Sequence, residues 1–300
     1  MPKTEPVRSE VTQELVYLLR RIENDVEPTA NIERLWKYCA RHQIDSDYLL
    51  ALTDKALLYP KRVLVALAES ETSKAASSDE KKICVVTCVN NERQYEECLL
   101  YLQHAHLPEG FSIEYVPIYG AKSLTAGYQE GMSASSAKYK VYIHQDACLV
   151  NLDALRRMIG LFQEHPEIGM FGFAGCTKLP SSGVWYETEG VGYGVVAQAT
   201  EPDKLEILGF KKTERSYEPV EAIDGVFMMT QYDLHWRDDL FTGWDFYDVS
   251  QAIEFRRRGW QVAVPGSDTI WCIHDSGIEF DTVAYEHWRK LFVEEYADML

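Results

Sequence analysis

The stretch Tyr139-Lys140-Val141-Tyr142-Ile143-His144-Gln145-Asp146 reads as a short buried strand running directly into a polar end. Side chains alternate along a strand, so residues two apart share a side. The His144 imidazole and the Asp146 carboxylate can therefore point into one cleft. One imidazole plus one carboxylate is half of a divalent-metal site, and open α/β sheets keep their ligands beyond the carboxyl ends of their strands. The plainer alternative is a strand that merely ends in polar residues.

Working outward, strand and helix patterns alternate on both sides of this segment. Upstream, Ile83 to Val89 is a β-branched run ending in Asn90-Asn91-Glu92, and Gln94 to His104 has helical spacing. Phe111 to Ile118 predicts a second strand, and Ser123 to Ala137 a helix rich in small residues. With Lys140 to Ile143 as the third strand, Leu152 to His165 predicts a third helix, and Ile168 to Ala174 a fourth strand. Such alternation implies an α/β fold with a mainly parallel nucleotide-binding sheet flanked by helices. Neither GxGxxG nor a P-loop is present. Val184 to Val220 breaks the pattern with Trp185, Tyr186, Tyr193 and Tyr217 among glycines, and predicts hairpins or a flexible excursion. Its aromatics suit a sugar or base, but a satellite core is the better reading for most of them.

The first part of the chain has another texture. Apolar residues recur at helical spacing through residues 8–70, which predicts a small helical bundle over residues 1–75. Glu71 to Lys82 is small, polar and charged, so residues 76–82 read as a linker and residues 83–300 as the α/β domain. The amphipathic stretch Val283 to Leu300 predicts a closing helix or an oligomer contact, and a homo-oligomer is compatible with it.

Three hundred residues with 46% apolar content suffice for one α/β domain and a small appendage. A net charge of −17 argues against nucleic acid or an anionic membrane as a partner. The seven cysteines form no CxxC pair, which argues for reduced core residues rather than zinc or disulfides. No signal-peptide core or transmembrane run is evident. These features predict a soluble, cytoplasmic protein.

Three downstream signals can join the His-x-Asp strand. Asp224-Gly225 precedes the buried run Val226 to Met229, where an ordinary turn is the plainer reading. Leu240-Phe241-Thr242-Gly243-Trp244-Asp245-Phe246-Tyr247-Asp248 opens a helix. Asp245 or Asp248 can cap that helix, or serve as a general base beside a sugar-binding Trp244. Thr269 to Gly277 predicts a strand ending in His274, which gains weight because the upstream half-site lacks a partner.

In this order the pieces ICVVTCVNNE, KYKVYIHQDACLVN, IDGVFMM, FTGWDFYDVSQAIEFRRRG and IHDSG resemble the glycosyltransferase family 2-like group of GT-A folds, over roughly residues 81–280. The resemblance implies a nucleotide-sugar donor, UDP- or GDP-linked, cradled by Thr87, Cys88, Asn90 and Glu92. The loop after the second strand, here Tyr119-Gly120-Ala121-Lys122, would meet the base, although it lacks the family's acid. The Asp-x-Asp motif falls on His144-Gln145-Asp146. It implies metal ligation by Asp146, His274 and His144, with His144 and Gln145 also near the donor. Asp224 and Gly225 would line the donor-sugar pocket, and Trp244 the acceptor. Asp248 matches the family's catalytic acid, with Tyr247 where glutamate is common and Asp245 beside it. Inversion comes from the resemblance alone, and imidazole ligands favour Mn²⁺ over Mg²⁺.

Two other functions stay open from the sequence. A nucleotidyltransferase would share the fold and metal but needs a basic phosphate loop, for which Val89 to Arg93 is a poor candidate. A degenerate nucleotide-sugar-binding or scaffold protein is suggested by the absent second-strand acid, the histidine at position 144 and Gln129. The acceptor is open among glycans, lipid-linked sugars and proteins.

Overall fold

The computed structural model describes residues 79–300 apart from 188–189, 202–203, 268 and 277–280, together with Leu18, Arg34, Leu35, Lys37 and Tyr38. The chain divides into two compact units, residues 1–76 and 77–300. The five described residues of the first unit are helical, and the expected bundle otherwise lies outside the described residues.

The second unit is built on a seven-stranded sheet in the order β2-β1-β3-β11-β5-β12-β9. Its strands are β1 (Asp79–Val89), β2 (Ser112–Tyr119), β3 (Ala137–Ile143), β5 (Ile168–Gly172), β9 (Tyr217–Val220), β11 (Phe227–Thr230) and β12 (Gln261–Pro265). Strands β2, β1, β3, β5 and β12 share one direction, and β11 and β9 oppose them. The mainly parallel sheet expected from the alternation is therefore present. Around it lie α1 (Glu92–Gln103), α2 (Leu124–Ser133), α3 (Ala154–Glu164), α4 (Tyr247–Arg257) and α5 (Thr282–Glu295).

The strands read as nearly continuous apolar runs because both faces are covered. Ile83 and Val85 of β1, with Tyr139, Val141 and Ile143 of β3, pack into one core with α1 and α3 residues such as Leu102, Met158 and Phe162. Cys84, Val86 and Tyr142 point the other way, onto Leu124, Tyr128 and Met132 of α2. Each fully buried aliphatic or aromatic side chain contributes about 1.5–3 kcal/mol. The small residues of α2 now have a reason: a Cβ at Gly127 or Gly131 would collide with Cys88 or Val86 of β1.

Two expectations need correction. Residues 79–82 are not linker but the start of β1, with Asp79 paired to Ala137 and Lys82 held 2.5 Å from Glu114. The end of this strand projects into solvent, so it lacks the apolar period that would have marked it. The strand expected over Thr269 to Gly277 shrinks to β13 (Ile273–His274), with Trp271 and Cys272 buried ahead of it.

The deciding stretch also hides a buried charge. Lys140 is 1% exposed, and its ammonium donates to Ala137 O at 2.5 Å and lies 2.9 Å from Asp233 Oδ1. Removing one partner of a buried pair leaves an uncompensated charge. Asp233 is 40% exposed, so water can replace part of its effect. Asp233→Ala should therefore destabilise by about 2 kcal/mol, below the full cost of breaking a buried pair. The double variant Lys140→Met/Asp233→Ala should recover most of it. Urea denaturation checks both, and an unchanged midpoint in the single variant would show that the pair carries no stability.

A second sheet, in the order β10-β6-β7-β13-β4 with β8 on β7, assembles from β4 (Ala147–Cys148), β6 (Ala174–Cys176), β7 (Gly192–Glu201), β8 (Lys204–Gly209), β10 (Ala222–Ile223) and β13. The aromatic excursion is a turn bearing Trp185 and Tyr186, then the β7–β8 hairpin with Tyr193, then β9 with Tyr217. The short β13 is wedged between β4, where His274 faces Ala147, and β7, where His274 faces Gln198.

Candidate active site

His144 follows the last residue of β3, and its amide donates to Val226 O at 3.1 Å because β11 runs antiparallel alongside. That pairing sets the Asp224-Gly225 turn next to the His-x-Asp end. Asp224 shapes the turn itself: its Oδ1 accepts from Val226 N at 2.9 Å. From the other side, the wedge of β13 delivers His274, and Asp275 N donates to Asp146 O at 2.8 Å.

The three expected metal ligands meet. His144 Nδ1 lies 3.3 Å from His274 Nε2 and 3.8 Å from Asp146 Oδ1, and the third side of the triangle is 3.4 Å. A point equidistant from three such atoms lies roughly 2 Å from each, the length of a metal–nitrogen or metal–oxygen bond. Asp146 Oδ1 is buried and accepts no hydrogen bond, an orphaned anionic acceptor aimed at both imidazoles. Burial, aided by His274, pushes His144 down to about 4, so it is neutral at physiological pH, the form that ligates metals. Burial opposes charge on His274 too, but Asp146 outweighs it and raises that imidazole. Asp146 in turn is held below the usual carboxylate range: burial works against its charge, and the two histidines prevail. This donor set fits a divalent cation.

Tyr247 was noted in the sequence only as a departure at a glutamate position. Its hydroxyl lies 2.5 Å from His144 Nε2, the ring nitrogen turned away from Asp146 and His274. A partner on one ring nitrogen fixes which way the other presents. Room for that hydroxyl comes from Gly225, where any Cβ would overlap the Tyr247 phenol.

Helix α4 starts in an unusual way. Its N-cap is neither Asp245 nor Asp248 but Phe246, in the left-handed region at φ 59° and without a side-chain cap. Such a residue costs about 1–2 kcal/mol. The Phe246 ring offsets it by packing on Tyr285 and Phe292 at 5.0 and 5.3 Å. The turn sets Asp245 and Asp248 on a cavity of about 850 Å³ that they share with His144, His274, Asp224, Gly225, Trp244, Trp185, Tyr186, Gln198, Ser276 and Tyr285. Burial, and then the neighbouring Asp224, push Asp248 up to about 7. Burial also raises Asp224, and raises Asp245 with help from Asp281.

The residues expected at the end of β1 do not line this cavity. Thr87 is buried with its hydroxyl unpartnered, and the Cys88 thiol, pushed up to about 12 by burial, faces Gly127. Asn90 and Glu92 are exposed. Tyr119 donates to Glu92 at 3.3 Å, and Ala121 packs beside α2. Gln145 connects this group to the ligand triad: its Oε1 accepts from Asn90 N and Asn91 N, each at 2.9 Å, and its amide donates to Asn90 Oδ1 at 2.5 Å. Gln129, read as a departure, donates to Ser133 and accepts from Trp236 N, tying α2 to the loop after β11.

The profile of the glycosyltransferase-like family matches residues 84–296, from within β1 to the end of α5. The chain belongs to that family. No curated protein matches the chain in sequence. Among solved structures, it is similar to TarS residues 1–349 of S. aureus in complex with UDP, at 8% identity and a TM-score of 0.41, over 65% of this chain and 60% of that one. It is also similar to the mannosyltransferase PcManGT from Pyrobaculum calidifontis in complex with GDP-Man and Mn²⁺, at 12% identity and a TM-score of 0.42, over 78% of this chain and 70% of that one. The match thus spans less than two thirds of the TarS chain. In this glycosyltransferase-like protein, no helix among the described residues is long and apolar enough to cross a membrane. Its six described cysteines are free thiols.

Proposed function

We propose that the protein transfers a sugar from a nucleotide-diphosphate donor to an acceptor hydroxyl, in one displacement with inversion and with a divalent metal. The observation that carries this reading is the meeting of the His144, Asp146 and His274 ligand atoms at a cavity that also holds the carboxylate of Asp248. Those three side chains would hold the metal, and two imidazoles among them favour Mn²⁺ over Mg²⁺. Bound there, the metal supplies Lewis-acid stabilisation of the departing diphosphate.

Asp248 is the base. The acceptor oxygen bonds to the anomeric carbon, the bond from that carbon to the phosphate oxygen breaks, and the hydroxyl proton passes to the Asp248 carboxylate. A group that titrates near 7 is suited to this, because a substantial fraction is ionised near neutral pH and it still accepts a proton readily. Asp224 and Asp245 hold sugar hydroxyls, and Gly225 keeps Tyr247 seated on His144. Asn90, Glu92, Tyr119 and Ala121 form the nucleoside end, with Gln145 joining it to the ligand triad, while Thr87, 1% exposed, and Cys88, whose thiol faces Gly127, support it from behind. The loop at Tyr119–Lys122 has no acid for the base, so the donor is left as a UDP- or GDP-sugar.

Calorimetric titration of UDP and GDP with and without Mn²⁺ tests this reading. The expected result is binding of one nucleotide that requires Mn²⁺. Binding of neither nucleotide under any metal condition would remove it.

A further inference from the structure

We infer that Tyr247 is a positioning residue for the metal: its phenol oxygen accepts the Nε2 proton of His144 and thereby keeps the Nδ1 lone pair of that ring bare for the cation. The inference rests on the reading that His144, Asp146 and His274 hold a metal, and it names a fourth side chain on which that site depends.

An imidazole that binds a cation through one nitrogen carries its proton on the other, and a buried N–H needs an acceptor. Nδ1 is the atom of His144 that faces the other two ligand atoms, 3.3 Å from His274 Nε2 and 3.8 Å from Asp146 Oδ1. Nε2 points away from both, and the Tyr247 hydroxyl lies 2.5 Å from it. The direction of this bond follows from the opposite side of the ring. Asp146 Oδ1, 3.4 Å from His274 Nε2, is an anionic acceptor that draws the His274 proton onto that nitrogen. A proton on His144 Nδ1 would then face it across 3.3 Å, donor against donor. A ring with one proton therefore carries it on Nε2, and the phenol is its acceptor. The phenol keeps its own proton, for which the cavity it lines holds the carboxylates of Asp224 and Asp248.

Both partners are held in place. Tyr247 is 4% exposed, and its ring stands edge-on to Tyr128 at 5.8 Å. Ser250 Oγ donates to Tyr247 O at 3.0 Å, which fastens the first turn of α4 beneath the phenol. His144 is fixed through its amide on Val226 O, one residue after the glycine that leaves the phenol room. The competing tautomer shows what the contact prevents. Without the phenol oxygen, a proton on Nε2 is buried and unpaired, whereas a proton on Nδ1 can turn toward the orphaned Asp146 Oδ1. That proton would sit where the cation belongs and would have to leave before the ring could ligate. A tyrosine also does this without charge, while a carboxylate at position 247 would set a further anion beside Asp248.

Long-range proton–nitrogen NMR of the histidine rings in metal-free protein, together with calorimetry using MnCl₂ alone, tests this. At neutral pH the wild-type His144 signal, assigned by its loss in His144→Gln, should report the proton on Nε2. Tyr247→Phe keeps the ring and its packing on Tyr128. It should shift His144 toward the Nδ1–H form and weaken Mn²⁺ binding by about tenfold or more. Thermal melts control for folding, and the wild-type spectrum gives its answer whether or not the phenylalanine variant folds. A proton on Nδ1 in the wild type would overturn the inference, as would equal Mn²⁺ affinity in wild type and Tyr247→Phe. Weaker Mn²⁺ binding with the tautomer unchanged would also overturn it, by making the role of Tyr247 purely structural. If the wild type binds no Mn²⁺, the metal reading itself falls and takes the positioning role with it.

Discussion

Asp248→Asn should lower turnover by about 10³-fold while nucleotide affinity stays within a few-fold, because the amide keeps the shape but cannot take the acceptor proton. The pH profile gives an independent reading of the same group. With burial and Asp224 lifting Asp248 to about 7, wild-type kcat/KM should rise with pH to a plateau above that value. The residual activity of Asp248→Asn should lack this limb. Stability should move the opposite way. A carboxyl whose folded pKa is raised binds its proton more tightly in the folded state. Its contribution is therefore full below the ordinary carboxylate range and is lost as pH rises through about 7. A shift of this size corresponds to about 4 kcal/mol at most, and water in the cavity screens much of it. A gain of about 1–2 kcal/mol for the asparagine variant at pH 8 is therefore expected. Steady-state kinetics and thermal melts across pH 5–9 check all three. A variant with wild-type turnover would assign the proton transfer to another group.

The second large effect is at the ligand triad. Asp146→Ala removes the one anionic donor and should weaken Mn²⁺ binding by about 100-fold or more, beyond the usual effect of an outer-shell change. The two imidazoles remain. Without Asp146, His274 also loses the partner that most raises it, so the two imidazoles are left to give residual weak binding. Calorimetry with MnCl₂ and the electron paramagnetic resonance of free Mn²⁺ measure this directly. Asp146→Asn separates loss of charge from loss of shape. Equal Mn²⁺ affinity in wild type and Asp146→Ala, or none in wild type, would remove the metal from the mechanism.

Much of the architecture follows from local pattern. The β-branched run at Ile83–Val89 and the alternation through Tyr139–Ile143 mark strands because each side chain has only two faces to choose between, and both are filled. The polar end of β3, the Asp224-Gly225 turn and the helix after Trp244 were legible for the same reason. The start of β1 at Asp79 was not, since a strand end in solvent leaves no apolar period.

The amino-acid sequence by itself determined most strands and helices of the second unit and the residue types able to do the chemistry, because periodicity and side-chain chemistry are local properties. Tertiary structure alone decided which of them meet. His274 reaches Asp146 only because β13 is wedged between β4 and β7. Tyr247 reaches His144 only because Gly225 leaves room for its ring. Lys140 finds Asp233 because β11 pairs with β3, setting Thr230 beside Lys140, and Tyr186 is held by a hydroxyl from α5. Each of these contacts joins residues dozens of positions apart. Their pairing is settled by sheet register and close packing, which no local period encodes.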